Sequence, residues 1–338
     1  MAAARDQNLK TATTVGGIAG LALLIALLTG SDGATIAHTL ERGGWTLLWL
    51  VPFRLAFFLL YAIGWLILLQ PYDPHRRASL GYLLWVATVR EAIDRLLPVA
   101  SVGGGVVGVH LLRLRGIGPA AAAATVVAEI LLTLIASYLF AALGLWLLVE
   151  LGASGDYYRR LLAPLLFSLP VPVLTALVFR YGSVFGRLEG LVRPLLGQTA
   201  LSEAAVMLDR ELRSCLRRAK SLLAAGALQF AALLSASFEV WLALRLFGHP
   251  VDARSALILE SLTQAVRHLA FVIPAGIGVQ EAGYMLFGHM LGIGGELALS
   301  VSVVKRLREV LCGLPALASW QMFEAWRLRS VINHLPGS

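Results

Sequence analysis

Long apolar stretches, separated by short polar ones, run along most of this chain. Several reach roughly 17 to 30 residues, enough for an α-helix to cross a hydrocarbon core of about 30 Å. No stretch alternates between apolar and polar positions at a period of two for long, which argues against strands in a membrane. We therefore predict an all-α polytopic integral membrane protein with about eight transmembrane segments. These are Val15–Leu28, Trp45–Gln70, Leu80–Pro98, Pro119–Leu151, Leu161–Tyr181, Ser221–Phe247, Ala253–Ile273 and Leu297–Trp320.

Two of the segments stop at a proline that is followed by closely spaced glycines. The prolines are Pro98 and Pro274, and the glycines are Gly103 and Gly104 after the first and Gly276 and Gly278 after the second. A short apolar piece comes next in each case and ends at a Gly-Ile-Gly triplet, 116–118 or 292–294. Both prolines and both triplets are 176 positions apart (274 − 98 and 292 − 116). We predict two copies of one membrane unit, residues 80–151 and 253–326, each with a broken or re-entrant helix.

Composition agrees with a membrane protein. Of the 338 residues, 58% are hydrophobic and 14% are charged, whereas soluble domains are about 45–50% apolar and about 25% charged. The net charge of +8 would suggest nucleic acid in a soluble protein, but here the cations flank the apolar segments, so we expect no nucleic-acid partner. The two cysteines, Cys215 and Cys312, have no metal-type spacing, and we predict neither a metal site nor a cofactor. The first apolar run could also be a secretory signal, although a transmembrane helix is the favoured interpretation.

Basic residues indicate which ends of the segments face the cytoplasm. They gather near the N-terminus, at Arg76 and Arg77, in the segment 182–220 and at the C-terminal end, so both termini are predicted to be cytoplasmic. On this assignment the first broken unit starts inside and the second starts outside. The two copies are therefore predicted to be inverted repeats, an arrangement found in many transporters, where broken helices form the substrate site.

The segment 182–220 is the one sizeable polar stretch, and it divides a membrane half at 1–181 from another at 221–338. Within it, apolar residues recur at helical intervals at Leu208, Leu212, Cys215 and Leu216, and basic residues surround them. We interpret it as one or two amphipathic helices that lie on the membrane surface against anionic lipid head groups. A helix with a solvated charged face is the alternative.

Charged and polar side chains inside the apolar segments are the candidates for function. Arg90 with Asp94, and Glu91 with Arg95, are four positions apart on one helix, a spacing that allows ion pairs. Such pairs would serve either structure or a polar cavity wall, and both interpretations stay open. The predicted substrate-binding residues are Arg90, Glu91, Asp94, Arg95, Glu129, Gln264, Arg267, Gln280, Glu281, Arg306 and Glu309.

Several of these residues carry a family resemblance. The run from Pro274 to Glu281, PAGIGVQE, with Arg306 25 positions later, resembles the second signature of the lysylphosphatidylglycerol synthase transmembrane (flippase-like) family. The run LPVASVGG, residues 97–104, resembles the first signature. The tail from Lys305 through Trp320 to Glu324 is most similar to the hopanoid-biosynthesis-associated HpnL group.

The resemblance implies a helical protein of the bacterial inner membrane that moves lipids between leaflets or helps to move them. The cargo it implies is a hopanoid-type lipid or a phospholipid. It also implies roles for Glu281 and Arg306 as the polar residues of the second repeat and for Glu129 as an acidic residue of the first. Two glycines depart from the family pattern: Gly105 stands where an acidic residue is usual, and Gly108 stands near the place of a basic one.

A lipid transporter or flippase-like protein is the function that these patterns favour. We expect the polar head of a lipid to enter a cavity between the two broken units while its tail stays in the bilayer. No Walker A motif occurs in the sequence, and transferase activity is not implied, so we do not expect an enzyme. Two alternatives remain: a membrane-embedded lipid-modifying enzyme with intramembrane carboxylates as acid and base, and a scaffold that binds lipid-biosynthesis enzymes through 182–220.

Overall fold

The structure of the protein is a computed structural model, which describes residues 41, 43–96, 103–151, 163, 167, 170–182, 199–270, 273 and 276–333. These residues form ten α-helices and no strand, as the all-α prediction requires. The helices are α1 Leu50–Leu69, α2 Leu80–Leu96, α3 Gly103–Leu114, α4 Pro119–Glu150, α5 Pro170–Tyr181, α6 Thr199–Arg217, α7 Ala219–Leu246, α8 Ala253–Leu269, α9 Val279–Met290 and α10 Gly295–Asn333. The predicted first segment, Pro98 and Pro274 lie outside the described residues.

Three helical segments within the described ranges are long and apolar enough to cross a membrane: Gly44–Tyr72, which includes α1, then α4 and α7. Their outward faces keep large apolar side chains, and Trp146 and Leu223 are 58% and 74% exposed. Water would penalise such surfaces, whereas lipid tails are as apolar as these side chains. Helices α2 and α8 are shorter, with 17 residues each, and both carry charged side chains.

The helix bounds repeat from the first half to the second. Helices α3 and α9 have 12 residues each, and α2 and α8 have 17 each. Both α3 and α4 begin 176 positions before their counterparts α9 and α10. Gly116 lies in the turn between α3 and α4, and Gly292 lies in the turn between α9 and α10. Their φ angles are +78° and +71°, a conformation that a side chain would strain. The opposite orientation of the two copies in a membrane stays a prediction.

Packing between the halves is reciprocal. Helix α1 packs along its counterpart α7, whereas α2 of the first half lies against α10 and α8 of the second half lies against α4. A glycine permits each of the latter crossings. A Cβ on Gly313 of α10 would come within 2.6 Å of Leu96 on α2, and one on Gly144 of α4 would collide with Ser261 on α8. A buried apolar cluster that includes Leu145 and Leu148 of α4 and Ile258 and Leu262 of α8 lies across the boundary between the halves.

Helix α6 corrects the prediction for the basic segment. Its apolar stripe does not face a membrane surface, because Leu212, Cys215 and Leu216 are buried against Ala124 and Ala128 of α4. The small alanine side chains let α6 approach closely. An amphipathic pattern shows only that one face needs an apolar neighbour, and here that neighbour is protein.

Burial also raises the pKa of the Cys215 thiol to about 11, and a thiol that stays protonated at neutral pH is a poor nucleophile. In a Cys312→Ser variant at pH 7.5, we expect a maleimide to leave Cys215 unmodified in the folded protein. The same reagent should modify it fully after unfolding in detergent. Mass spectrometry of intact protein over time measures both rates, and rapid modification of folded protein would contradict the packing of α6.

Candidate functional site

A cavity of about 330 Å³ lies between the two halves. Its wall combines α1 to α4 of the first half with α8 and the break that follows α8 in the second half. The wall includes six of the predicted substrate-binding residues: Arg90, Glu91, Asp94, Arg95, Gln264 and Arg267. The structure therefore brings together side chains from α2 and α8 that are more than 150 residues apart in the sequence.

The first half contributes more of the cavity wall than the second, because the two halves have different side chains at matching positions. Gln280, Glu281 and Tyr284 occupy α9, and all three side chains are fully buried. At the positions 176 residues earlier, α3 has Gly104, Gly105 and Gly108, the last two being the departures from the family pattern. Gly105 lies on the cavity wall. The absence of a side chain at Gly105 leaves open volume on the cavity wall, where its counterpart Glu281 fills the space on α9.

These glycines also make room for neighbouring polar groups. A Cβ on Gly108 would lie 2.9 Å from Cδ of Arg90, and one on Gly104 would lie 2.5 Å from Oδ2 of Asp94. Tyr284, the counterpart of Gly108, instead donates its hydroxyl hydrogen to Glu260. The departure at Gly108 thus has a steric cause, because Arg90 occupies the space that a side chain would need.

Each half contains one buried ion pair between its second and fourth helices. In the first half Nη1 of Arg90 lies 2.5 Å from Oε2 of Glu129. In the second half Nζ of Lys305 lies 2.7 Å from both carboxylate oxygens of Glu260. Glu129 and Lys305 are 176 positions apart, so the matched sites carry opposite charges. A lone ion at such a site would cost several kcal/mol, and each pair removes most of that cost.

The pairing predicted for α2 is therefore half wrong. Glu91 and Arg95 do form an ion pair, with Nε of Arg95 3.3 Å from the carboxylate. Arg90 and Asp94 do not, because the completely buried Glu129 takes Arg90 as its counter-ion. Asp94 accepts a hydrogen bond from the backbone N–H of Gly104 at 2.9 Å. The carboxylate thus caps the start of α3, where free N–H groups are available.

A second network of charged side chains lies next to the cavity and shares Glu91 and Arg95 with its wall. Glu91 also pairs with Arg54 of α1, and Arg308 of α10 lies 3.0 Å from Glu239 of α7. A gap of about 20 Å³ separates Glu91 and Arg95 from Arg308 and Glu309. The network spans both halves, and it leaves room for no ligand larger than water.

The other predicted residues of the second repeat hold the break in place. Glu281 accepts hydrogen bonds from the N–H of Gly278 at 2.8 Å and from Nε of Arg306 at 3.1 Å. Arg306 donates to the carbonyl of Gly276 at 3.0 Å and lies 3.5 Å from Glu309. Gly276 and Gly278 have positive φ, of +59° and +77°. These contacts fix the backbone next to the cavity, whereas substrate contact by Glu281, Arg306 and Glu309 stays a prediction.

Gln280 does not line the cavity but forms a hydrogen bond with Arg267, which does. Its side-chain oxygen accepts from Nη1 of Arg267 at 2.6 Å, and its amide donates to Ser302 at 2.9 Å. Gln264 lies on the wall and donates to Glu260 at 3.1 Å. Sequence reasoning missed Tyr61 and Thr133, which also line the cavity. A lone tyrosine or threonine in an apolar run has no pattern that separates a cavity position from a packed one.

A family model for the lysylphosphatidylglycerol synthase TM region matches residues 14–316. The chain belongs to this family. The match includes both halves of the fold and every predicted site residue. No curated protein and no solved structure matches the chain.

Membership in the lysylphosphatidylglycerol synthase TM family establishes a membrane protein with a lipid-related function. The site gives the second signature of this member a physical meaning, because its glycines, Glu281 and Arg306 together form the break beside the cavity. The closer likeness to the hopanoid-associated group stays a prediction. Within the described residues, no group of three or more His, Cys, Asp or Glu could hold a metal ion.

Removal of one partner from a buried ion pair tests the packing of this site. We expect Lys305→Met to destabilise the protein by about 3–5 kcal/mol, because the Glu260 carboxylate stays buried without a cation. The double variant Glu260→Gln/Lys305→Met should recover much of that loss. Thermal unfolding in one detergent measures all three proteins.

The exposed pair of Arg254 and Glu150, 3.9 Å apart, supplies the matched control. Arg254→Met should cost no more than about 1 kcal/mol, since solvent screens exposed pairs. Equal destabilisation by Lys305→Met and Arg254→Met would show that Glu260 is not enclosed as described.

Proposed function

We propose that this protein moves polar-headed lipids between the leaflets of a membrane, or helps to move them, with the lipid head in the cavity. The observation that carries the proposal is a charged cavity lined by helices from both halves of a lipid-related membrane protein. Its volume of about 330 Å³ lies near the lower end of the range for small-molecule pockets. A head group fits in that space, and a long acyl or polycyclic tail does not.

The tail would gain little from entering the protein, because lipid is as apolar as a protein interior. Only the head needs shelter from hydrocarbon, since moving a charged group through the bilayer without partners is costly. Arg90, Glu91, Asp94 and Arg95 on one wall and Gln264 and Arg267 on the other supply polar partners for it.

Inverted repeats would explain how the head reaches both sides. The matched helix bounds and the reciprocal packing of α2 on α10 and α8 on α4 support two equivalent arrangements of the halves. In many transporters one half rocks against the other about a site near the midplane. Cation placement supports opposite orientations of the halves and cytoplasmic termini. The family resemblance supports a bacterial inner membrane.

The cargo class proposed for this transporter covers hopanoid-type lipids and phospholipids. The basic side chains of α6 and of the loops of the protein would attract anionic head groups at the cytoplasmic surface. A lipid-modifying enzyme receives less support, because Glu281 is 1% exposed and both of its oxygens accept hydrogen bonds from the protein. Such a carboxylate cannot reach a substrate proton in this arrangement.

Filling the cavity from α3 tests transport directly. A Cβ on Gly105 would meet only Ile130 and Val126, both at an ordinary 3.7 Å, so Gly105→Leu should fold and project into the cavity. In vesicles with fluorescent phospholipid and an added quencher, we expect the wild type to speed exchange between leaflets. The Gly105→Leu variant should lower the rate to that of vesicles without protein.

Gly226 on α7 provides the control. A Cβ there would also have its nearest neighbour, Leu132, at 3.7 Å, and Gly226 does not line the cavity. Gly226→Leu should therefore keep the wild-type rate. Equal rates for wild-type protein and Gly105→Leu, with both proteins folded, would contradict the proposal that the head passes through this cavity.

A further inference from the structure

Two charged side chains on the cavity wall form no ion pair of their own among the described residues. Arg90 is paired with Glu129, and Glu91 is paired with both Arg95 and Arg54. The remaining two are Asp94, on α2, and Arg267, on α8. Their direct polar contacts with the protein are neutral: the backbone N–H of Gly104 for Asp94 and the side-chain oxygen of Gln280 for Arg267.

These two residues lie at the same distance from the start of their helices. Both helices have 17 residues, and Asp94 and Arg267 each stand 14 positions after the first residue, Leu80 and Ala253 respectively. The two residues carry opposite charges. In contrast to the buried ion pairs, Asp94 and Arg267 are only partly buried, and each faces the same open volume.

Asp94 and Arg267 can each form further hydrogen bonds. The guanidinium of Arg267 has five N–H donors, of which one is directed to Gln280. Its planar fork suits a phosphate, which can accept two of the others. The carboxylate of Asp94 has room for several donors and uses one oxygen for Gly104. An ammonium group with three N–H donors fits the remaining positions.

From this arrangement we infer that the cavity selects a zwitterionic lipid head, with its phosphate at Arg267 and its primary amine at Asp94. The inference rests on the proposed function and names the substrate class of the same site. A purely anionic head would neutralise Arg267 and bring negative charge beside Asp94, whose neighbouring cations Arg90 and Arg95 are already paired with glutamates. A zwitterionic head gives Asp94 and Arg267 each a partner of opposite charge and adds no net charge to a partly buried site. The other titratable groups on this wall are Tyr61 and His268, and His268 adjoins Arg267 and is itself exposed.

Binding in detergent tests this selection without any requirement for transport. Purified protein is titrated with lipids of identical tails and three heads, phosphoethanolamine, phosphocholine and phosphoglycerol, and the bound lipid is measured by native mass spectrometry. We expect the phosphoethanolamine lipid to bind most tightly, because phosphocholine lacks N–H donors and phosphoglycerol lacks a cation. Equal affinity of the wild type for the three lipids would overturn the inference.

Asp94→Asn is the sharpest variant, because the asparagine oxygen can still accept from Gly104 while the negative charge is removed. We expect roughly tenfold weaker binding of the phosphoethanolamine lipid, the loss of one charge-assisted hydrogen bond. Binding of the phosphoglycerol lipid should stay the same or strengthen. A uniform loss for all three lipids would show that Asp94 only positions α3, and the inference would fail.

Arg267→Gln should weaken all three lipids, since each has a phosphate, and Arg267→Lys should restore part of the affinity. Glu150→Gln, an exposed change on α4 away from the cavity, serves as the control and should bind as the wild type does. If Arg267→Gln leaves the affinity for all three lipids unchanged, the phosphate does not lie at Arg267.

Exchange between leaflets, measured on the same proteins in vesicles, separates the two proposals. Selective binding without exchange would reject transport and keep the zwitterionic site. Exchange at equal rates for the three heads, with no selectivity in binding, would keep transport and reject the site.

Discussion

The need to pair every charge that the membrane interior buries determines how these helices can be arranged. The paired groups lie on different helices: Arg90 with Glu129 joins α2 to α4, Glu260 with Lys305 joins α8 to α10, and Glu239 with Arg308 joins α7 to α10. An unpaired ion costs several kcal/mol, which is comparable to the whole stability of a folded domain. A shift of any of these helices by one residue would separate at least one pair.

The same constraint explains how a duplicated plan supports an unsymmetrical site. The halves share helix lengths and glycine turns, yet α9 fills its interior with Gln280, Glu281 and Tyr284, where α3 has glycines. Glu281 accepts a hydrogen bond from Gly278, Gln280 donates one to Ser302, and Tyr284 accepts one from Lys305. These contacts fix the second break. The first half gives up that support and gains an open volume. One copy therefore acts mainly as a frame, and the other as the wall of a binding space.

Sequence patterns predicted backbone features well and the partners of buried charges poorly. The punctuation at Gly116 and Gly292 gave the ends of α3 and α9 correctly, because positive φ is a local requirement. The sequence could not show whether Arg90 pairs with Asp94 or with Glu129. Glu129 is 39 positions away, and its complete burial is what makes it the counter-ion of Arg90. The stripe on α6 was equally ambiguous, because lipid and protein satisfy an apolar face alike.

Asp94 links the contents of the cavity to the position of α3. Its carboxylate both lines the cavity and accepts from the N–H of Gly104 at the start of that helix. Among the described residues, the second break has a fuller set of bonds through Glu281 and Arg306. A cation that competes for Asp94 therefore weakens a restraint on α3 while α9 stays fixed. Because a ligand shifts a conformational equilibrium only through such differences in contact, α3 is the element whose position a bound head group can change.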